Sequence, residues 1–434
     1  MLKKISPIQI IVSAIILVLA AVIVALLIFM KNQPAQTRGI PPLIEISAME
    51  PDSSKWGLNF ANQYTSLQKT LTNNTRTTFG GSEPFEKLDV DPMLRTLFAG
   101  YPFSKGYGED RGHLNSLTDV RNTPRLSDAT PGTCYSCKSS NNPELWSEMG
   151  MLQYDSLKFS QLTERITEPI GCANCHEANT MRLIVTNPAL DEALKAQGKD
   201  WQSFTRQEMR TIVCANCHVE YYFEGADKYL TLPWAKGTTI EEIDAYYDEE
   251  GFTDWTHPDS GAPIIKMQHP DYELFSNGST HYNAGVSCAD CHMPYTRDGA
   301  VKYSSHDVHS PLLNPSQACG QCHTDVPYVV ERVTIIQNQV NETMLATEEA
   351  IVDAIAAIKA AAAVKTADAG LLEEARILHR KAQLRWDFIA AENSMGFHNP
   401  EEALRILADA TNLARQAQLK AFQAAPSAVA VVKK

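Results

Sequence analysis

The sequence TCYSCK at Thr133–Lys138 sets the pattern around which this chain is built. Its two cysteines lie three positions apart, and a lysine directly follows the second one. Four later segments keep the cysteine spacing but carry a histidine where the first has its lysine. In chain order, these second to fifth motifs are Cys172–His176, Cys214–His218, Cys288–His292 and Cys319–His323.

This cysteine pattern indicates covalently attached haem. CxxCH is the attachment signature of c-type haem, in which both thiols bond to the porphyrin and the histidine binds the iron. A zinc site would use two CxxC pairs for each metal, and a thioredoxin-like pair would explain one motif only. Haem is the best interpretation, with zinc as the alternative for any single pair. The predicted attachment residues are all ten cysteines of the chain: Cys134, Cys137, Cys172, Cys175, Cys214, Cys217, Cys288, Cys291, Cys319 and Cys322.

The N-terminus predicts a membrane anchor. An apolar run from Ile10 to Met30 carries no charge, and as a helix it would span roughly 32 Å, close to the thickness of a bilayer core. The segment after Met30 is a poor match to a signal cleavage site. We therefore expect an uncleaved signal anchor, with cleavage as the alternative, and the remainder of the chain outside the cytoplasmic membrane.

Charge excludes one class of partner. The chain of 434 residues has a formal net charge of -13 and no basic stripe, so we expect no nucleic-acid binding. If the substrate is an anion, its attraction must come from charges close to the site.

Composition and periodicity predict a mainly α fold: a multihaem cytochrome c core with irregular loops, preceded by the N-terminal transmembrane helix and followed by long C-terminal helices. The expected segments are an anchor at 1–31, a linker at 32–48, a pentahaem catalytic domain at 49–327, a long-helix region at 328–425 and a tail at 426–434.

Local signals place several helices. Asp91–Ala99 has an N-cap aspartate followed by proline, and Thr205 with Glu208 matches a capping box. After Pro327, apolar residues recur at helical spacing as far as Gly370, which is expected to end that helix.

Two further long helices are expected, at Leu371–Glu392 and from Asn399 onward. Long amphipathic helices form either an intramolecular bundle or an oligomer interface, and the sequence leaves both open.

The histidine count suggests one open iron site. The motifs supply Lys138, His176, His218, His292 and His323 as axial ligands, and subtracting their 4 histidines from 12 leaves 8 elsewhere. If four haems each bind two histidines, the haem above Lys138 keeps an unfilled position, as in a catalytic metal site. The lysine would bind iron as the neutral amine.

The motifs resemble those of the pentahaem, ammonia-forming cytochrome c nitrite reductases, over about residues 100–402. Beyond the haem motifs, the resemblance rests on Cys217–Phe223, Lys266–Pro270, Arg111–His113 and Asp119–Arg125.

This resemblance implies a distal pocket above the Lys138 haem made by Arg125, Tyr221 and His269. The arginine would hold an anion by charge-assisted hydrogen bonds, with Arg121 as the competing choice. The histidine would deliver protons, and the tyrosine would stabilise partly reduced intermediates.

The resemblance also implies a calcium site, with ligands from the side chains of Glu220 and Gln268 and the backbone carbonyls of Tyr221 and Lys266. All-oxygen ligation suits this ion.

Distal iron ligands follow from the same resemblance, with His306 preferred over His309. His257 and His379 are expected to be structural or exposed. The implied pairs are His306 with His176, His113 with His218, His398 with His292, and His281 with His323.

The function implied is six-electron reduction of nitrite to ammonium in a homodimer formed by the long C-terminal helices. Electrons would come from a quinol-oxidising membrane multihaem cytochrome, on the periplasmic face of the membrane. The alternatives are a multihaem electron-transfer cytochrome, or a reductase acting mainly on hydroxylamine or sulfite.

Overall fold

The computed structural model describes residues 7–32, 42–109 and 111–428. By its internal contacts the chain divides into two compact units, 1–45 and 46–434. Parts of the predicted anchor, linker and tail (residues 1–6, 33–41 and 429–434) lie outside the described residues.

The first unit contains helix α1, Pro7–Asn32. Across the described residues, no helix has the length and apolarity required to cross a lipid bilayer. The membrane span within residues 1–31 therefore stays a prediction, as do the other segment boundaries.

The second unit is mainly helical, which confirms the mainly α part of the predicted fold class. Most of its helices are short because loops separate the five motifs. The helices of the core are α2 Ser53–Asn59, α3 Ala61–Thr72, α4 Lys87–Val90, α5 Leu94–Leu97, α6 Ser116–Asn122, α7 Asn142–Met149, α8 Met151–Ser156, α9 Phe159–Leu162, α10 Pro188–Ala196, α11 Arg206–Ile212, α12 Ile240–Glu250, α13 Asp271–Ser276, α14 Thr280–Asn283, α15 Cys288–His292 and α16 Pro315–Ala318.

In the part of the chain that the structure describes, strands are few and occur as three separate antiparallel pairs. In the first pair, Tyr222 lies opposite Thr231; in the third, Tyr295 lies opposite Ser304. The strands are β1 Tyr222–Glu224, β2 Tyr229–Thr231, β3 Trp255–Thr256, β4 Pro263–Ile264, β5 Tyr295–Asp298 and β6 Val301–Ser304.

Three long helices follow the core: α17 Val326–Ala362, α18 Ala369–Ala391 and α19 Pro400–Ala424. They pack against one another through apolar side chains spaced three and four residues apart, such as Ile351 and Ile355 of α17. The predicted helices are confirmed here, and within one chain they form a bundle.

The predicted end of the first long helix at Gly370 is wrong. Helix α17 ends at Ala362, and Asp368 caps α18 by accepting a hydrogen bond from the backbone N–H of Leu371 at 3.0 Å. Gly370 lies in the first turn of α18, where backbone N–H groups need no partner within the helix, so glycine does not break it.

The two short helices predicted within the core had different outcomes. Helix α11 begins with the expected capping box of Thr205 and Glu208. The helix predicted at Asp91–Ala99 is reduced to α5, and Asp91 instead accepts a hydrogen bond from the Met93 N–H at 3.0 Å in the preceding turn.

Candidate haem-binding and active site

The second to fifth motifs each begin with a short helical turn, whereas the helical turn at the first motif spans Gly132–Tyr135 and ends before Cys137. The second motif shows the geometry of this turn. The backbone carbonyl of Cys172 accepts hydrogen bonds from the N–H groups of Cys175 at 3.1 Å and His176 at 3.0 Å. The same carbonyl contacts recur in the third and fifth motifs. A turn of this kind brings both thiols and the ligand residue to one side of the backbone, as attachment to a single porphyrin requires.

No two of the ten cysteines form a disulfide, so all are available for haem attachment. The third motif lies between its neighbours. The thiol of Cys137 hydrogen-bonds that of Cys217, which lowers the pKa of Cys137, and the thiol of Cys214 does the same with Cys288. The first and fourth motifs therefore both contact the third, which makes it the centre of the arrangement.

Three of the four implied histidine pairs face each other at nearly the same separation. Two imidazoles bound to opposite sides of one metal, with metal–nitrogen bonds of about 2 Å, have ring centres roughly 6 Å apart. The ring-centre distances are 6.1 Å for His176 with His306, 6.3 Å for His292 with His398, and 6.4 Å for His281 with His323. These separations fit an iron between each pair.

Hydrogen bonds also leave the correct nitrogen available. The Nδ1 of His176 contacts the Met181 carbonyl at 2.9 Å, and the Nδ1 of His306 contacts the Ser304 carbonyl at 2.9 Å. A carbonyl can only accept, so Nδ1 carries the hydrogen and Nε2 keeps its lone pair for a metal. Burial lowers the pKa of His306 to about 4, which keeps this imidazole in the neutral form that binds metals.

The choice of His306 over His309 gains support from the same contacts. His306 faces His176, whereas the backbone carbonyl of His309 accepts a hydrogen bond from Nδ1 of His292 at 3.1 Å. Nδ1 of His309 lies 3.3 Å from Asp307. These contacts favour His306 as the ligand and give His309 the role of orienting His292.

The fourth implied pair is less direct. Burial first, and then the nearby His218, lower the pKa of His113 to about 4. The ring at 6.4 Å from His218, however, belongs to His269. The third motif therefore lies close both to its implied distal ligand and to the implied catalytic histidine.

A pocket beside the second motif brings apolar residues and implied haem residues together. Helices α2 and α3 form its apolar wall, with Trp56 and Leu67 among the lining residues. The lining also includes the attachment cysteine Cys172 and the implied ligands His176 and His306. Donor types, ring separations and this pocket all fit c-type haem.

The lysine of the first motif is held by its backbone. Ser116 donates its hydroxyl to the Lys138 carbonyl at 2.7 Å, and the side-chain amide of Asn142 donates to the carbonyls of Tyr135 at 2.7 Å and Ser136 at 2.9 Å. Residues at the start of α6 and of α7 therefore fix the backbone of the turn that carries Lys138, the residue in the position that histidine takes in the other motifs.

The two candidate arginines have different surroundings. Arg121 is committed to structure: its Nε donates to the Tyr135 hydroxyl at 3.1 Å and its Nη2 to the Thr163 carbonyl at 3.1 Å. Arg125 donates Nη1 to the Gly106 carbonyl at 3.0 Å, and its guanidinium stacks over the Phe103 ring at 4.3 Å. This contrast supports Arg125 as the anion-binding arginine.

Arg125 and Tyr221 both lie against the first motif. Burial raises the pKa of Cys134 to about 11, and the charge of Arg125 acts in the opposite direction. Burial also raises the pKa of Tyr221 well above its usual range, and Cys137 and Cys134 act in the same direction. The Tyr221 hydroxyl is therefore a neutral donor beside this motif.

The residues proposed for calcium lie together. Glu220 is fully buried, and its oxygens accept hydrogen bonds from the Tyr247 hydroxyl at 2.8 Å and the Gln268 N–H at 2.6 Å. The Gln268 side-chain amide lies 3.1 Å from the Lys266 carbonyl. Burial raises the pKa of Glu220 well above its usual range. A cation among these oxygens would restore its charge, so the donor set fits calcium.

Sequence reasoning missed several residues around this site. Phe103 stacks on Arg125, and the side chain of Lys266 forms a buried ion pair with Asp387 of α18 at 2.8 Å. Asp271 accepts from Nδ1 of His218 at 3.0 Å. The position of Asp271 two residues after His269 was the only signal in the sequence; Phe103 and Asp387 had none.

The remaining two histidines, expected to be structural or exposed, are both fully buried, which fits the structural alternative. Nε2 of His257 contacts the Thr96 carbonyl at 2.8 Å, and Nδ1 of His379 contacts the Ser260 hydroxyl at 3.0 Å.

Known proteins resemble this chain over most of its length. Residues 52–433 match the cytochrome c552 family. A cytochrome c-552 from Parabacteroides distasonis is 42% identical over 383 residues, which cover 86% of this chain and 77% of that protein. The cytochrome c nitrite reductase subunit NrfA of Nitratidesulfovibrio vulgaris is 38% identical over 413 residues, covering 86% and 79%.

A solved structure gives the same relationship. The catalytic subunit of cytochrome c nitrite reductase from Desulfovibrio desulfuricans, a protein with two calcium sites, matches with a TM-score of 0.85 and 37% identity. The match covers 90% of this chain and 91% of that one. The chain belongs to the cytochrome c552 family, and its resemblance to the cytochrome c nitrite reductases is confirmed.

Proposed function

We propose that this protein is an oxidoreductase that reduces nitrite to ammonium at the first motif, in a pocket formed by Arg125, Tyr221 and His269. The observation that carries the proposal is the arrangement at Thr133–Lys138. A lysine replaces the ligand histidine there, and Arg125 and Tyr221 lie beside the same motif.

Arg125 would bind the substrate. Nitrite is a small anion with two oxygens in one plane, and a guanidinium can hold both by parallel charge-assisted hydrogen bonds. Because Gly106 takes one N–H of Arg125 and Phe103 supports its plane, the remaining N–H groups have a fixed direction.

Proton delivery would fall to His269 and Tyr221. Each nitrite oxygen must leave as water, and a histidine near neutrality can donate the protons as the N–O bonds break. The Tyr221 hydroxyl, kept neutral by burial, would donate a hydrogen bond to the nitrogen or oxygen on which charge develops.

The cofactors are five covalently bound haem c groups and calcium. Lys138 would hold one iron as a neutral amine, and four haems held by histidine pairs would relay the electrons. When bound, haem supplies redox-active iron whose open face can accept a small ligand. Glu220, Gln268 and the carbonyls of Tyr221 and Lys266 would hold calcium, which fixes the Tyr221 and His269 segments relative to each other.

Location and partners extend the proposal. The protein would act on the periplasmic face of the cytoplasmic membrane, held by its N-terminal helix, and would take electrons from a quinol-oxidising membrane multihaem cytochrome. A homodimer would form through the long helices, which expose Tyr328 and Ile335 on α17 and Leu419 on α19. Membrane fractionation of the full chain and light scattering of the purified protein test the anchor and the dimer.

The function itself is tested by nitrite-dependent oxidation of a reduced viologen dye, with ammonium measured as the product. The proposal predicts one ammonium for each six electrons taken from the dye. Hydroxylamine and sulfite are assayed with the same donor, because a preference for either would replace nitrite as the main substrate.

An electron-transfer cytochrome gives a different result. Every haem would then be six-coordinate and low-spin in the ferric state, and no substrate would oxidise the dye. A high-spin ferric signal that changes when nitrite is added supports the enzyme, and its absence would exclude an open site above Lys138.

A further inference from the structure

Asp271, at the start of α13, is a buried carboxylate that contacts an implied iron ligand. Its Oδ2 accepts from Nδ1 of His218 at 3.0 Å and from the side-chain amide of Asn393 at 2.8 Å. Its Oδ1 accepts from the backbone N–H of Asn393 at 2.7 Å. Asp271 is 7% exposed, so water does little to weaken these contacts.

This partner distinguishes His218 from three of the implied ligand histidines, whereas Nδ1 of His398 also faces a carboxylate, that of Glu392 at 3.2 Å. His176, His292 and His306 each direct Nδ1 at a backbone carbonyl. A carboxylate carries a full negative charge, and a ligand imidazole that donates to it becomes more basic than one that donates to a carbonyl.

The position of His218 gives this difference a consequence. Its motif contacts the first motif through Cys137 and Cys217, and the fourth through Cys214 and Cys288. In the proposed function, a haem on the third motif is the relay beside the reaction site.

We propose that Asp271 is a positioning residue that lowers the reduction potential of the haem on the third motif. The inference rests on the proposed haem ligation. A more basic axial ligand stabilises the oxidised iron, and hydrogen bonding to a ligand is one of the means by which a protein sets such potentials.

The effect should be concentrated on the third motif. Oδ1 of Asp271 is 3.7 Å from Nδ1 of His398, the implied ligand of the fourth motif, but Glu392 lies nearer to that nitrogen, at 3.2 Å. Loss of Asp271 should therefore move the potential of the fourth-motif haem less than that of the third.

The test is a potentiometric titration of the purified, haem-loaded protein, followed by optical and electron paramagnetic resonance spectra. Asp271→Asn replaces the anionic acceptor with a neutral one. We expect the potential of one low-spin haem to become more positive, with a change in the g values of the same signal and smaller shifts in the others.

Asn393→Ala should shift the reduction potential of the third-motif haem in the opposite direction. The side-chain amide of Asn393 competes with His218 for Oδ2, and Asn393 is exposed, so its truncation should leave the fold intact. With the competitor removed, the carboxylate accepts more strongly from His218, and the same potential should become more negative.

A matched control is Asp244→Asn. Asp244 is a buried carboxylate like Asp271, but its partners are Lys381 and Arg385, so all haem potentials should stay as in the wild type. Unchanged potentials in both Asp271→Asn and Asn393→Ala, or equal shifts in all five haems, would overturn the inference. If Asp271→Asn loses haem, the sign of the Asn393→Ala shift decides alone. These readouts do not require nitrite turnover, so they separate this inference from the proposed activity.

Discussion

Exchanging each of the two candidate arginines for lysine should separate substrate binding from structural support. Arg125→Lys keeps the positive charge but loses the planar fork of donors. In the wild type, Gly106 occupies one N–H of this guanidinium and Phe103 fixes its plane. A lysine cannot contact Gly106 and both nitrite oxygens in one plane.

The expected loss can be estimated from these contacts. One charge-assisted hydrogen bond to the substrate contributes about 1.5–3 kcal/mol, and each 1.4 kcal/mol corresponds to about tenfold in rate. Arg125→Lys should therefore lower kcat/KM for nitrite by about 10- to 100-fold. Its stability should fall by only about 1 kcal/mol, because the fold loses one carbonyl contact and a stacking contact.

Arg121→Lys should show the reverse. This arginine joins the Tyr135 hydroxyl to the carbonyls of Thr163 and Ile166, the latter at 2.6 Å. Loss of two or three such bonds should cost about 2–4 kcal/mol of stability. For each fully loaded molecule, kcat/KM should change by less than about threefold.

The assay is dye-coupled nitrite reduction normalised to haem content, combined with thermal unfolding of the same preparations. Loss of kcat/KM in Arg121→Lys at normal stability, together with normal kcat/KM in Arg125→Lys, would refute the assignment. Equal effects of the two exchanges would also refute it, since the argument depends on the difference between their partners.

Three further predictions concern the ligand, the cation and the helical bundle. Lys138→His should keep haem attachment but lower nitrite turnover; turnover at the wild-type rate would remove any special role for the lysine. Chelation of calcium should lower activity and thermal stability together, and Glu220→Gln should remove the response to chelator; a chelator effect that persists in this variant would place the ion elsewhere. Burial, and then Asp91, raise the pKa of Glu348 on α17 from its ordinary 4.5 to about 9. At a pH between 4.5 and about 9 the folded state therefore holds a proton that the unfolded chain releases, so the free energy of unfolding should fall as pH rises through this range. Glu348→Gln should abolish that fall and add about 3 kcal/mol to the free energy of unfolding at pH 7. Thermal midpoints at pH 5 and pH 8 check it, and an identical pH dependence in wild type and variant would contradict it.

The sequence predicted where helices begin, because helix caps depend on residues close together in the chain. The capping box at Thr205 and the cap and proline that begin α19 involve contacts within four residues, so their pattern is visible in the chain. Gly370 was misjudged because its effect depends on position: in a first helical turn, glycine has no intrahelical N–H bond to lose.

Contacts between distant segments could not be predicted in this way. Phe103 lies in the 3₁₀ turn Pro102–Ser104 and Arg125 in a later turn, and Asp387 reaches Lys266 from α18. Neither Phe103 nor Asp387 carries a local signal in the sequence, since a single aromatic residue or aspartate outside a motif most often has a structural role. The haem attachment residues were accessible from the CxxCH spacing itself, whereas the residues of the implied pocket were accessible only through the resemblance to a known family.

The electrostatics of the pocket can be argued from the partners of its buried cations. The chain has a net charge of -13, which opposes an anionic substrate at long range. Lys266 cannot offset this, because Asp387 neutralises it at 2.8 Å. Arg125 differs, since its contacts in the described part of the chain, Gly106 and Phe103, are neutral. Salt screens exposed charges beyond about 10 Å, so the distant acidic surface matters less to nitrite than this one guanidinium, together with the calcium proposed to bind at Glu220. Raising the ionic strength should therefore change kcat/KM for nitrite only weakly, whereas loss of the Arg125 fork removes the attraction itself.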